Sequence, residues 1–199
     1  MTAKLRTWSI LLASVLIGLV AFSSIAQQRM VNPVNQLDIK TEMVETPEFD
    51  VRNLSTERGD KEWFEIRVAY DTVVEWVDEL QFVFYAFVET NMKDTPKMLL
   101  QHTVTYADIE KGRHMATVYM HPNTYERYID NVEFVGVEIR YKGRPVRWTS
   151  DKSNMRESRW WEQARQQFPP VTGKLISRNE TPFALVSPDE YELIKKPGN

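Results

Sequence analysis

The sequence predicts an all-β fold, a β-sandwich carrying one short helix near its C-terminal end. Three observations carry that prediction. Apolar residues recur at period two in Leu37–Met43, Phe64–Tyr70 and Val135–Tyr141, which is the spacing of strands with one buried face. Turn-forming residues separate these runs at roughly even intervals, giving seven to nine short strands in all. Helical patterning longer than one turn is confined to the stretch ending at Gln167.

The chain has 199 residues and opens with an export-signal pattern. Lys4 and Arg6 precede the uncharged run Trp8–Phe22, and Ser24-Ile25-Ala26 places small residues at both positions a signal peptidase reads. Cleavage after Ala26 is expected. The alternative is an uncleaved anchor, because Trp8–Ile25 reaches the lower edge of what spans a bilayer. The exported protein would sit in the periplasm, in the outer envelope or outside the cell. The domain plan is a signal over 1–26, a flexible polar leader over 27–36, and one sandwich domain over 37–199.

The first strand alternates Leu37, Ile39, Thr41 and Met43 with Asp38, Lys40 and Glu42. Pro47, Asn53, Ser55 and Gly59 mark 46–60 as a loop. Phe64, Ile66, Val68 and Tyr70 form the clearest strand, and the acidic stretch Asp71–Glu79 follows it. Leu80–Val88 differs, because Leu80, Phe82, Phe84, Ala86 and Val88 fill one face while Val83, Tyr85 and Phe87 make the other apolar. Such a strand is covered on both sides, so its outer face meets another element of the chain or a partner. Met98–Tyr106 and His114–Met120 read as a hairpin across a turn at Ala107–Arg113. Thr124–Ile129 forms about one helical turn. Val135–Tyr141 pairs with Val146–Trp148 across the turn residues Lys142-Gly143-Arg144-Pro145. Gly173–Arg178 and Pro182–Val186 suggest a third hairpin around Asn179-Glu180.

The helix is expected over Ser158–Gln167, stopped by Phe168-Pro169-Pro170. Trp160, Ala164 and Phe168 share one face, and Arg159, Glu162, Gln163, Gln166 and Gln167 supply a polar side. So short a helix is stable only when buried against the rest of a fold. The face most in need of cover carries Val83, Tyr85 and Phe87, so the helix is expected to dock there.

Composition excludes several functions. There is no cysteine, hence no disulfide, thiolate metal site or cysteine nucleophile. Net charge is −3, and loss of the signal with Lys4 and Arg6 makes it −5, so nucleic acid and anionic membranes have no global attraction. A membrane connection would run through an uncleaved signal alone. No G-x-S-x-G elbow, glycine-rich phosphate loop or spaced carboxylate pair is present, and no enzyme or cofactor is expected. His102 and His114 would approach each other across the proposed hairpin near Asp108 and Glu110. They lack HxH or HExxH spacing, so a metal site is not expected.

The tryptophans are the candidates for contact. Trp63, Trp148, Trp160 and Trp161 are the residues that would stack on a sugar ring or anchor a protein partner. Lys142, Arg144, Arg147, Lys152, Arg156, Arg159 and Arg165 accompany the last three. That mixture suits an acidic protein surface or an acidic glycan, and equally a solvated face. The leading expectation is a non-catalytic module that binds a protein partner. The alternative is a carbohydrate-binding module using exposed aromatics.

The signal, the lack of cysteine, and the segments EWFEIRVAYDT (Glu62–Thr72), ELQFVFYAFVE (Glu79–Glu89), VEFVGVEIRYKGRPV (Val132–Val146) and SRWWEQ (Ser158–Gln163) resemble small exported proteins of verrucomicrobial bacteria such as Akkermansia. The resemblance implies an immunoglobulin-like sandwich and association with a type IV pilus-like gene cluster. The processed Gly-Phe leader and long apolar N-terminal helix of true pilins are missing, which points to an accessory role. The resemblance assigns no functional residues.

Overall fold

The computed structural model describes residues 32–48, 61–187 and 191–195. The expected signal, its cleavage site and most of the loop over 46–60 lie outside these residues. The described elements are β1 (Val34–Glu45), β2 (Glu62–Thr90), β3 (Lys97–Met120), α1 (Pro122–Tyr128), β4 (Ile129–Tyr141), β5 (Arg144–Ser150), α2 (Trp160–Gln167), β6 (Leu175–Ser177) and β7 (Leu193–Ile194), with 3₁₀ turns at Ser153–Met155, Arg178–Glu180 and Pro182–Leu185. The pairings among these named strands are antiparallel: the order is β5-β4-β2-β3-β6, with β1 on β2 and β7 on β3.

Two strands build both layers of the sandwich. A straight strand of the length of β2 would run roughly 95 Å at about 3.3 Å per residue, far beyond a domain of this size. It therefore bends. Pairing between β2 and β3 slips between Thr72 and Trp76, and opposite this slip Asp108 and Gly112 hold positive φ of 54° and 146°. Extra residues on one strand bend it and increase its twist. The bend lays the first half of each strand over its second half. Tyr70 consequently packs on Phe82, with ring centroids 4.8 Å apart, although twelve residues separate them. Phe64, Ile66 and Val68 join Leu80, Phe84, Ala86 and Val88 in one core. The all-β sandwich class expected from the alternation is the class observed.

The hairpin expected across Ala107–Arg113 does not form. β3 runs through that segment without reversing, and its halves pair with different parts of β2, Leu99 with Phe87 and Val118 with Ile66. A bend in a strand and a reversal use the same residue chemistry, since both need positive φ, supplied here by Asp108 and Gly112. The acidic stretch Asp71–Glu79 likewise belongs to β2, where it forms the outside of the bend. The leader expected over 27–36 is strand from Val34 onward. Val34 is buried and pairs with Thr72, and the Asn32 side chain accepts from the Val34 N–H at 3.0 Å.

The hairpin of β4 and β5 forms as expected. Lys142 and Gly143 alone make its turn, both at positive φ (50° and 75°), the type I′ geometry that matches strand twist. The third hairpin does not form. β6 pairs with β3, and the chain then enters a 3₁₀ turn at Arg178–Glu180. Ser177 and Glu180 cap that turn reciprocally, and this Ser-x-x-Glu box was the overlooked signal against a hairpin.

Candidate interaction surface

The outer face of the second half of β2 is closed by α2, at the place the sequence predicts. Trp160 and Trp161 join Val83, Tyr85, Phe87 and Leu99 in a second apolar cluster. Trp161 is fully buried and lies flat on Tyr85, ring centroids 4.9 Å apart at 8° between planes. Trp160 stands edge-on to Trp161 and Phe134, and its Nε1 donates to Ser150 Oγ at 3.2 Å. Arg165 caps the seat by donating to the Tyr85 hydroxyl at 2.6 Å. Close approach requires Gly136. A Cβ there would lie 2.6 Å from the Trp161 ring and 3.1 Å from Trp160 Nε1.

One buried carboxylate fixes the start of α2. Glu138 pairs with Val83 on one side and Trp148 on the other, so it stands on the outer face. It accepts from Arg140 Nε at 2.6 Å and from Arg159 Nε at 3.0 Å, and Arg159 also bridges to Glu162 at 2.8 Å. Burial, the largest single influence, pushes its pKa up, but the bonds and charges of the two guanidiniums together outweigh it and hold the carboxyl below its ordinary value. A carboxyl depressed in the folded state contributes stability that is present above its unfolded pKa and lost as pH falls through the folded value. Glu138→Gln should therefore lower stability at neutral pH by on the order of 1–2 kcal/mol. The gap to wild type should close in acid, as read by urea melts across pH 2–7.

The four tryptophans singled out from sequence divide unevenly. Trp160 and Trp161 are buried in the helix seat. Trp63 is buried too, edge-on to Tyr119, Phe183 and His121, with Nε1 donating to Thr46 Oγ1 at 3.0 Å. It does lie on the face opposite the main core, but Pro182–Leu185 folds over it. None of these three presents a ring to a partner, which corrects the contact role expected of them. Trp148 alone stays accessible, at 36 % exposure. Its Nε1 donates to the Glu157 carbonyl at 3.0 Å, and the Arg159 guanidinium lies 5.4 Å from its ring centroid. Truncating this residue to Ala should cost on the order of 1–3 kcal/mol, because most of the ring's area is enclosed and its hydrogen bond is lost.

Trp76 is the residue that sequence reasoning missed. At 61 % it is the most exposed tryptophan among the described residues, and Val73 beside it is 44 % exposed. Both sit on the outside of the bend in β2, where Asp71, Glu75, Asp78 and Glu79 surround them in sequence. Two clear strands on either side of a non-alternating acidic stretch were the available sign of a bulge.

Among the described residues, no group of three His, Asp or Glu side chains is placed to hold a metal ion. His102 and His114 lie on opposite halves of β3, paired with Phe84 and Tyr70. His102 meets Ser177 at 2.8 Å, and burial lowers its pKa. His114 meets Glu192 and Thr72. A shallow groove of about 370 Å³ between Asn35–Asp38, Ala69–Asp71, Arg113 and Arg147 carries two carboxylates and two guanidiniums, a lining that selects no single sign of charge. No described helix is long and apolar enough to cross a membrane.

A family model matches residues 25–198. Among solved structures, the crystal structure of a protein from Akkermansia muciniphila is similar: TM-score 0.65 at 23 % identity, over 81 % of this chain and 95 % of that one. At that identity the likeness shows the fold. No curated protein matches the chain.

Proposed function

The chain belongs to the family matched over residues 25–198, and we propose that it is a non-catalytic immunoglobulin-like module of the cell envelope that binds a protein partner in a pilus-type assembly. The observation that carries this reading is the pair of accessible tryptophans, Trp76 and Trp148, each on a strand rather than on a loop. Aromatic rings held by a rigid sheet lose little entropy on binding and suit protein contacts. The family is not a known enzyme family. Export through the segment Trp8–Ala26 puts the module outside the inner membrane, in the periplasm, outer envelope or medium.

The carbohydrate alternative gains nothing from the geometry. A sugar platform needs an open ring face, and Trp148 already has Arg159 against it. Trp76 stands apart from the other exposed aromatic.

The test is photocrosslinking in the native host, with a crosslinking amino acid placed at position 148 or 76 and, as control, in place of the exposed Lys93. The expected result is a discrete adduct with an envelope protein from 148 or 76, lost when its neighbouring charges are reversed. Adducts of equal yield from all three positions, or none in the envelope fraction, would remove the reading.

A further inference from the structure

β1 leaves one backbone edge open. Its strand partner among the described residues is β2 alone. At its start the edge is closed against β5: Arg147 donates to the Asn35 carbonyl, and Asn32 Nδ2 donates to the Val146 carbonyl at 3.1 Å. Past Asn35 no described group bonds to that edge. At the far end the Thr46 N–H donates to the Lys61 carbonyl at 3.2 Å, so the even-numbered residues of this half direct their backbone groups at β2. Alternation turns those of Ile39, Thr41, Met43 and Glu45 to the open side. Lys40, Thr41, Glu42 and Met43 all have exposed side chains. Such an unpaired row of donors and acceptors is a template for another strand. We infer that its occupant is the same strand of a second copy of this chain, running antiparallel about a two-fold axis at Thr41. The contact uses neither Trp76 nor Trp148, so it goes beyond the partner binding proposed above and is tested apart from it.

The charges of β1 select both the occupant and the register. Within the chain Lys40 lies opposite Arg67, and Glu42 lies opposite Glu65. Each therefore meets its own sign across the ladder, an unfavourable pairing. Arg67 and Glu65 are bonded to each other, while Lys40 and Glu42 form no ion pair among the described residues. An antiparallel copy centred on Thr41 supplies what is lacking. It puts Lys40 opposite Glu42 of the second copy and Glu42 opposite its Lys40, and it sets Ile39 against Met43 on the core side. The pair at Thr41 and the Ile39–Met43 pairs then exchange hydrogen bonds through the groups that already face outward. A centre at Lys40 would oppose Lys40 to itself and Asp38 to Glu42, and a centre at Glu42 would oppose that carboxylate to itself. A centre at Ile39 would draw in Asn35, whose carbonyl Arg147 already occupies. The contact is isologous, so it closes at a dimer.

The chain has no cysteine, so introduced thiols report the register directly in the protein purified from its host. Thr41→Cys should form a disulfide-linked dimer under mild oxidation, because strand pairing holds facing residues within disulfide reach. Lys40→Cys alone should not, since the axis sets its two copies diagonally apart, but an equimolar mixture of Lys40→Cys and Glu42→Cys should link. In sedimentation velocity wild type should dimerise weakly, as a contact of one strand pair does, and more weakly as salt rises. Lys40→Glu and Glu42→Lys should each weaken dimerisation by about tenfold, and their equimolar mixture should restore it. Thr41→Pro should abolish it with the melting temperature nearly unchanged, since the N–H it removes faces outward. Thermal melts verify that each variant folds. A wild type that stays monomeric at the highest soluble concentration, or Lys40→Cys linking to itself as readily as Thr41→Cys, would overturn the inference. If the monomer result appears together with a crosslink from position 148 or 76 to an envelope protein, the self-pairing fails and the binding-module reading stands.

Discussion

Trp161→Ala should cost roughly 3–5 kcal/mol of folding stability, the range for removing a buried aromatic side chain. The ring is fully buried, lies flat on Tyr85 and contacts Trp160 edge-on. Its loss removes more than its own area, because α2 spans only Trp160–Gln167 and a helix that short has no stability of its own in water. Val83, Tyr85 and Phe87 would then lose their cover together. Against a typical total of about 5–15 kcal/mol, the variant should melt many degrees below wild type. Trp161→Phe should be milder. It keeps a ring on Tyr85 and removes an Nε1 that finds no acceptor among the described residues, so the cavity it leaves is partly offset by the loss of an unpaired donor. If Trp161→Ala moves the transition by only a degree or two, α2 is not seated as described.

Gly136→Val should rank next. A Cβ at this position would meet the Trp161 ring at 2.6 Å and Trp160 Nε1 at 3.1 Å, and neither ring has room to withdraw inside the cluster. Overpacking of this kind typically costs about 1–3 kcal/mol. If α2 is driven off the sheet, the loss rises toward that of the tryptophan truncation. The pair should be coupled: Gly136→Ala in the Trp161→Ala background should cost much less than in wild type, because the obstructing ring is gone. A double-mutant cycle by urea unfolding measures that coupling. Additive losses would mean that the glycine serves the strand and not the helix.

The helix seat was legible because two independent patterns had to be reconciled. Val83, Tyr85 and Phe87 left an apolar face without cover, and the Trp160–Phe168 stripe belonged to a helix too short to stand alone. Each is the other's answer, and nothing else in the sequence supplied either. In the sequence Gly136 alternates with Val135 and Val137 as a polar-side residue would, although a glycine inside a strand also marks close approach of another element. The continuous path of β3 was not legible, because Asp108 and Gly112 provide positive φ whether a chain reverses or bends. Only pairing with β2 decides between them, and that is a long-range fact. The burial of Trp63 was hidden for a similar reason. Its face looked polar from its strand neighbours Glu65 and Arg67, but Phe183 arrives from far along the chain to cover it. Glu65 is itself buried, bonded to Arg67 and to the Tyr119 hydroxyl, so a polar alternation did not mean an exposed one.

The account rests on a division of the tryptophans, with Trp63, Trp160 and Trp161 holding the fold and Trp76 and Trp148 facing outward. The direct measurement is ¹⁹F NMR of the protein labelled with 5-fluorotryptophan, each signal assigned by single Trp→Phe substitution and then exposed to a soluble paramagnetic probe. Trp76 should broaden most and Trp148 next, while Trp63, Trp160 and Trp161 stay sharp. Strong broadening of Trp160 or Trp161 would contradict the account, as it would mean that the helix stands away from the sheet and that the contact surface lies there instead.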